Sequence, residues 1–171
     1  ATTLSGGQAS AQFGSSVARA GDVNGDGFDD LIAGAPLRDN SETDEGRALV
    51  YLGSAGGLSS TASWSVEPNQ AGARFGATVA TAGDVNADGY ADVIVGAPLQ
   101  DNGQTDEGLG YLYLGGPSVS TTSSAVMQTD QNASYLGTSV AGAGDVNGDG
   151  YADILIGGSG HDGGATNSGV A

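Results

Sequence analysis

The sequence has no cysteine, no lysine, only four arginines and one histidine among its 171 residues. Without cysteine there is neither a disulfide nor a thiolate metal site, so cysteine usage gives no information on the redox compartment. The scarcity of basic side chains argues against nucleic acid and anionic membranes as partners, because binding phosphate groups requires positive charge. No apolar run approaches the roughly 18 residues needed to cross a bilayer, which excludes direct membrane insertion.

What the chain has in abundance is glycine and acid. It contains 32 glycines and 20 acidic residues, and its formal net charge is −16. This acidity favours cations as ligands, or else serves solubility. With 38% hydrophobic residues, the composition is not that of a disordered chain, and a globule of this length has enough residues for a core.

An internal repeat of about sixty residues organises the chain. Phe13-Gly14 recurs as Phe75-Gly76 and then as Leu136-Gly137, at offsets of 62 and 61 residues. The repeat predicts an outer strand of a preceding blade at residues 1–12, repeat units at 13–74 and 75–135, and a partial third unit at 136–171. The sequence is therefore expected to be a piece of a longer repeat array.

Each repeat contains short apolar runs separated by glycine and proline. In the first copy they predict strands over Ser15–Ala20, Leu31–Ala33, Ala48–Leu52 and Ala62–Glu67. No window has a sustained helical period. Four short antiparallel strands per unit predict an all-β fold of propeller blades in an incomplete ring. A β-sandwich of duplicated hairpins is the alternative.

An acidic segment that occurs three times is the most informative part of the sequence. Its copies, Asp22–Asp30, Asp84–Asp92 and Asp145–Asp153, each carry oxygen-bearing side chains at positions 1, 3, 5 and 9 and glycine at position 6. Such a loop provides the hard oxygen ligands that Ca²⁺ prefers, and the glycine permits a sharp reversal of the chain. The segments hold ten of the twenty acidic residues. We therefore predict three cation sites.

The loops differ from EF-hands, which need a carboxylate at position 12. That position is Ala33, Val95 and Ile156 here, inside the apolar runs. Ca²⁺ is favoured over Mg²⁺, since Mg²⁺ retains water and rarely occupies a cage made only of protein ligands. Solvated Asp-Gly turns are the alternative, but the repeated crowding of three carboxylates favours a counter-ion. A catalytic role for these ions is not expected.

Together, Phe-Gly before the first strand, the acidic loop and Gly-Ala-Pro after the second strand resemble the FG-GAP repeat of integrin α-subunit β-propellers and their bacterial relatives. The resemblance covers essentially the whole chain. It implies a seven-bladed propeller with Ca²⁺ loops on one rim, partners on the opposite rim, and an extracellular setting.

The resemblance also implies a calcium ligand set for each loop, with the main-chain carbonyl contributing at position 7. The implied ligands are Asp22, Asn24, Asp26, Phe28 and Asp30; Asp84, Asn86, Asp88, Tyr90 and Asp92; and Asp145, Asn147, Asp149, Tyr151 and Asp153. Three features depart from the pattern: Ala87 at position 4, Leu136 in place of phenylalanine, and Gly158-Ser159 in place of Ala-Pro. Asp29 adds a fourth acid to the first loop.

Several other features have two interpretations. The acidic connections Pro36–Gly46 and Pro98–Gly108 are either solvated loops or a ligand-facing rim for a cationic or metal-bridged partner. His161, beside Asp162 in a glycine-rich loop, is not expected to be catalytic. Trp64 is expected to cover an outer strand rather than stack on a sugar. Asn132-Ala-Ser134 is a glycosylation sequon by form only.

Two functions fit the sequence. The first is a calcium-binding propeller segment of a cell-surface or secreted adhesion or ligand-binding protein, in which Ca²⁺ is structural. The alternative is a non-catalytic accessory region of a secreted carbohydrate- or lipid-processing enzyme. In either case we expect no catalytic residues in this chain, a protein or glycan ligand on the rim opposite the calcium loops, and self-association through open blade edges.

Overall fold

The computed structural model describes residues 2–171, which form ten β-strands and no helix. The first sheet contains Val17–Gly21 (β1), Asp30–Ala35 (β2), Arg47–Tyr51 (β3) and Trp64–Val66 (β4). The second contains Thr78–Gly83 (β5), Asp92–Ala97 (β6), Leu109–Tyr113 (β7) and Ala125–Met127 (β8). Leu136–Gly144 (β9) and Asp153–Gly158 (β10) form the third.

Neighbouring strands are antiparallel throughout, and the strand order in both four-stranded sheets follows the chain. This confirms the predicted all-β fold of antiparallel propeller blades. Each sheet lies within one predicted repeat unit. No helix among residues 2–171 has the length and hydropathy to cross a membrane.

Two hydrophobic cores join the three blades face to face. Between the first and second blades, Ile32 and Val50 belong to the same cluster as Val93 and Val95. Between the second and third blades, Ile94 clusters with Ile154 and Ile156. Successive residues of β6 therefore face opposite neighbours, which explains why its apolar run does not alternate with polar residues.

Aromatic side chains complete the first core. The Trp64 and Tyr113 rings meet edge to face with centroids 4.9 Å apart, and the indole Nε1–H donates to the Ser120 carbonyl at 2.8 Å. Phe75, the phenylalanine of the second Phe-Gly, is completely buried and lies 5.3 Å from the Tyr111 ring. Trp64 is only 4% exposed and packs in the core between blades, so its ring is not available for stacking on a sugar, and it contacts the third strand of the next blade rather than an outer strand.

The two ends of the stack differ from the complete blades. Residues 2–12 contain no strand, unlike the outer strand predicted there, and the described residues include no neighbouring strand for them to pair with. In the third blade the equivalent of the third strand is a single bridge between Gly158 and Val170. Leu155 is 52% exposed, whereas Ile32 and Ile94, at the equivalent position, are fully buried. Self-association at the blade edges stays a prediction.

Candidate metal centres

The acidic loops connect the first two strands of each sheet and lie along one rim of the stack. Backbone hydrogen bonds join each loop to the next, since Ala91 N–H donates to the Asp22 carbonyl at 2.9 Å and Ala152 N–H donates to the Asp84 carbonyl at 3.0 Å. Gly116 N–H also donates to the Val23 carbonyl at 2.8 Å. The loops are thus part of the contact between blades as well as of their own hairpins.

The first aspartate of each loop organises the backbone around it. In the first loop, Asp22 Oδ1 accepts from Gly25 N–H at 2.7 Å and from Asp26 N–H at 3.0 Å, while Oδ2 accepts from Gly27 N–H at 2.8 Å. Asp145 receives the same three bonds in the third loop. These N–H donors lower the pKa of the Asp145 carboxyl, so its charged form is favoured.

Glycine at position 6 is required by the backbone, as the sequence predicted. Gly27, Gly89 and Gly150 have φ of 87°, 92° and 92°, in the left-handed region that glycine adopts without steric cost. Position 4 is also left-handed, and Ala87 adopts φ of 58° there, whereas the other two loops have glycine. Alanine at this position carries a steric cost, on the order of 1–2 kcal/mol, that glycine avoids.

The last aspartate of the first and second loops has a role that the repeat pattern alone did not reveal. Asp92 is fully buried, and its two oxygens accept from Val85 N–H at 2.7 Å and from Gly115 N–H, just beyond β7, at 2.8 Å. Asp30 makes the equivalent bonds in the first blade. Position 9 therefore fastens the loop to the end of the third strand.

Burial raises the pKa of the Asp30 and Asp92 carboxyls above the usual range. The backbone donors lower these pKa values in part, and repulsion from the other carboxylates of the same loop raises them again. For Asp30 the repelling groups are Asp26 and Asp22. Positions 1, 5 and 9 are therefore close enough to interact electrostatically.

The donor chemistry of the loops fits a hard cation. Every implied ligand is an oxygen, and no loop contains a basic residue. The nearest arginine, Arg19, pairs at 2.7 Å with Asp29, which is outside the implied ligand set. Within residues 2–171, however, no three acidic or histidine side chains converge at ion-binding distance. Instead, Asn24 Nδ2 donates to Asp26 Oδ2 at 3.0 Å, a contact repeated in all three loops.

On the opposite rim, the 36–46 and 98–108 connections each contain one glutamate that is not solvated. For these two residues the interpretation as a solvated loop is wrong. Glu45 and Glu107 are completely buried at equivalent positions. Glu45 Oε1 accepts from Ser41 N–H at 3.2 Å, whereas neither oxygen of Glu107 has a hydrogen-bond partner. The recurrence of Thr-Asp-Glu-Gly in both repeats was the available signal for a shared structural role.

Glu107→Gln is expected to stabilise the protein at neutral pH. Burial raises the pKa of the Glu107 carboxyl, and the charges of Asp130 and Asp101 raise it further. The folded state therefore holds the proton more tightly. The free energy of unfolding falls as pH increases from about 4.5, the ordinary value, through the raised pKa.

Urea unfolding at acidic and neutral pH measures this effect. Glu107→Gln should flatten the pH dependence of the unfolding free energy across that window. Glu42→Gln neutralises an exposed acid on the same rim as Glu107 and should retain the pH dependence of the wild type. If the unfolding free energies of Glu107→Gln and the wild type change equally with pH, burial of this carboxyl does not destabilise the protein.

The single histidine does not belong to a catalytic triad. His161 Nδ1 lies 3.4 Å from the hydroxyl oxygen of Ser134, but Ser134 is fully buried. Asp162 accepts instead from the backbone of Asn167 and does not orient the imidazole. A triad needs an accessible nucleophile and a base held by a third group.

Known proteins with similar sequences include integrin α-subunits. The chain is 36% identical to integrin alpha-5 of Xenopus laevis over 169 residues, covering 93% of this chain and 16% of that protein. It is 37% identical to integrin alpha-IIb of Mus musculus, covering 90% of this chain and 15% of that protein. For integrin alpha-PS2 of Drosophila melanogaster the identity is 34%, over 90% of this chain and 12% of that protein. The chain thus spans about one-eighth to one-sixth of these relatives.

The repeat family matches over all three units. Residues 13–51, 75–114 and 136–171 each match the FG-GAP repeat. These segments begin at the Phe-Gly or Leu-Gly pair of each unit and contain the acidic loops described above. The chain therefore belongs to the FG-GAP repeat family, and its blades are of the integrin α-subunit type.

Proposed function

We propose that this chain is a calcium-stabilised segment of a cell-surface or secreted adhesion or ligand-binding protein, with no catalytic activity of its own. The observation that carries the proposal is the threefold recurrence, within FG-GAP repeats, of a loop with oxygen-bearing side chains at positions 1, 3, 5 and 9, whose carboxylates repel one another. No basic side chain within the loops offsets this repulsion. A divalent cation would offset it, and oxygen donors are the ligands that Ca²⁺ prefers.

In the proposed sites the side chains at positions 1, 3, 5 and 9 and the carbonyl at position 7 hold one ion per loop. Each carboxylate oxygen has two lone pairs, so Asp30 and Asp92 are able to keep their backbone donors while binding a cation. The side chain at position 3, such as Asn24, has to turn its oxygen inward. Binding thus needs rotation of side chains at the rim rather than a new path of the backbone.

The ion's proposed role is structural. Each loop is bonded to the next through contacts such as Ala91 to Asp22, so a loop that is held by an ion also holds the neighbouring blade. Position 9 extends this restraint to the end of the third strand. Calcium therefore stabilises the hairpins and the stacking of the blades, and the opposite rim is left for ligands.

A calorimetric calcium titration of the protein tests the site assignment. We expect three sites in the wild type and two in Asp88→Asn, because this substitution removes one ligand charge while keeping a side-chain oxygen to accept from Tyr90 N–H. Asp88 is exposed, so the fold should persist. Glu42→Gln removes a charge on the opposite rim and should retain three sites. Three sites in Asp88→Asn, or fewer than three in the wild type, would contradict the assignment.

The adhesive role and the extracellular location are proposals drawn from the family and from ion supply. The similar proteins are integrin α-subunits, and the resemblance implies partners on the rim opposite the acidic loops. Calcium sites of extracellular modules bind with dissociation constants of about 10⁻⁴–10⁻³ M, which require an environment rich in calcium. The proposed partner is a protein or glycan that contacts the rim carrying the 36–46 and 98–108 connections.

A further inference from the structure

A groove opens on the rim opposite the acidic loops, between the first and second blades. It has a volume of about 310 Å³, and its walls come from equivalent positions of the two repeats. Pro36 and Leu37 follow β2 on one side, and Pro98 follows β6 on the other. Gln12 and Arg74, which precede the Phe-Gly pairs, lie at the same groove. The groove thus combines apolar walls with one positive charge.

In the part of the chain that the structure describes, the Arg74 side chain differs from those of the other three arginines in having no partner. Arg19 pairs with Asp29, Arg47 pairs with Glu67, and Arg38 donates to the Gly6 carbonyl. Arg74 is exposed, and within residues 2–171 its guanidinium has neither a hydrogen bond nor a carboxylate within 4.0 Å. An unpaired arginine is unexpected in a chain with 20 acidic residues.

The backbone at Arg74 is fixed in a conformation that glycine adopts more easily. Its φ is 55°, and the equivalent residues Gln12 and Tyr135 both have φ of 53°. Arg74 N–H donates to the Asp44 carbonyl at 3.2 Å, which holds the residue in place. All three repeats thus present a different large side chain from the same strained position on this rim, an arrangement typical of binding surfaces on a rigid scaffold.

We propose that this groove binds a peptide segment in which a carboxylate lies beside an apolar side chain, with Arg74 pairing with the carboxylate. The proposal rests on the ligand-binding role proposed for this rim. The guanidinium fork matches a carboxylate in a bidentate manner, and such charge-assisted bonds are stronger than neutral ones. Leu37 and Pro98, which are partly exposed, contact the apolar side chain. The apolar surface of Leu37 and Pro98 favours a peptide side chain over the hydroxyl groups of an acidic sugar, while Gln12 and Ser15 are the uncharged polar residues of the lining.

N-acetyl-leucine is a minimal probe, and its amide is the matched uncharged control. Titration of the calcium-loaded protein, followed by NMR, should shift the Arg74 side-chain Nε–H and the Leu37 amide with the acid but not with the amide. Arg74→Gln should weaken binding of the acid by about tenfold or more, the loss expected for a charge-assisted pair. Arg19→Gln removes an arginine of similar exposure outside the groove and should leave the affinity unchanged.

Equal binding of the acid and its amide, or unchanged affinity in Arg74→Gln, would overturn the proposal. Tighter binding of glucuronic acid than of N-acetyl-leucine would overturn the peptide assignment in favour of an acidic glycan. The role of the rim is tested separately by retention of the protein on immobilised matrix proteins. If the wild type and Arg74→Gln are retained equally, the rim is adhesive but this groove is not the binding site. If neither is retained, the result contradicts the adhesive role of the rim.

Discussion

Chelation of calcium is expected to lower the unfolding midpoint of the protein substantially. A site filled at 100 times its dissociation constant contributes about 2.7 kcal/mol, because the ion binds the folded state alone. For a domain of this size, 1 kcal/mol corresponds to about 2–4 °C, so each emptied loop should lower the midpoint by roughly 5–10 °C. The physical cause is the return of carboxylate repulsion in the loops, as at Asp30.

Thermal unfolding followed by circular dichroism, with and without a calcium-selective chelator, measures the shift. The matched control is a variant in which the position 5 aspartates, Asp26, Asp88 and Asp149, are all replaced by asparagine. This variant should not respond to chelator, and it should unfold at or above the midpoint of the chelated wild type because each loop has one fewer repelling carboxylate. A wild-type midpoint that chelator leaves unchanged would contradict a structural role for calcium.

Much of the fold could be predicted because the repeat supplies local signals three times. The strand predicted at Ala48–Leu52 is observed at Arg47–Tyr51, and the strand predicted at Leu31–Ala33 is observed at Asp30–Ala35. Apolar runs and the glycines that end them are properties of the local sequence. The extension of β2 to Asp30 depends on pairing with Gly21 across the acidic loop, which a run of apolar residues does not indicate.

What sequence reasoning missed depends on contacts between distant residues. The bond from Gly115 N–H to Asp92 joins residues 23 apart, and its partner group is a main-chain amide without a sequence signature. The sequence favours a solvated Glu107, because glutamate in a glycine-bounded loop is usually exposed. Its burial follows from the next blade, whose Leu136 N–H donates to the Glu107 carbonyl at 2.9 Å. Contacts between strands of one blade decide the first outcome, and packing between blades decides the second.

Packing between blades also gives the repeat motif its physical basis. The glycine of Gly-Ala-Pro in one blade faces the glycine of Phe-Gly or Leu-Gly in the next blade. A β-carbon on Gly34 would lie 1.9 Å from the Gly76 carbonyl oxygen, and one on Gly96 would lie 2.1 Å from the Gly137 carbonyl oxygen. Neither contact leaves room for a methyl group. The two glycine positions are thus needed together, since each permits the close approach of the other.

Gly96→Ala is therefore expected to destabilise the protein by about 3 kcal/mol or more, at the upper end for overpacking. The clash is with the main chain of Gly137 and with Thr78 Oγ1 at 2.3 Å, so relief requires the second and third blades to separate. Gly56→Ala is the matched control, because the nearest atom to its added carbon is Ser54 Oγ at 3.7 Å. That substitution should be neutral or stabilising by up to about 1 kcal/mol. Urea unfolding of both variants decides the point, and similar stabilities would refute close glycine packing as the basis of the motif.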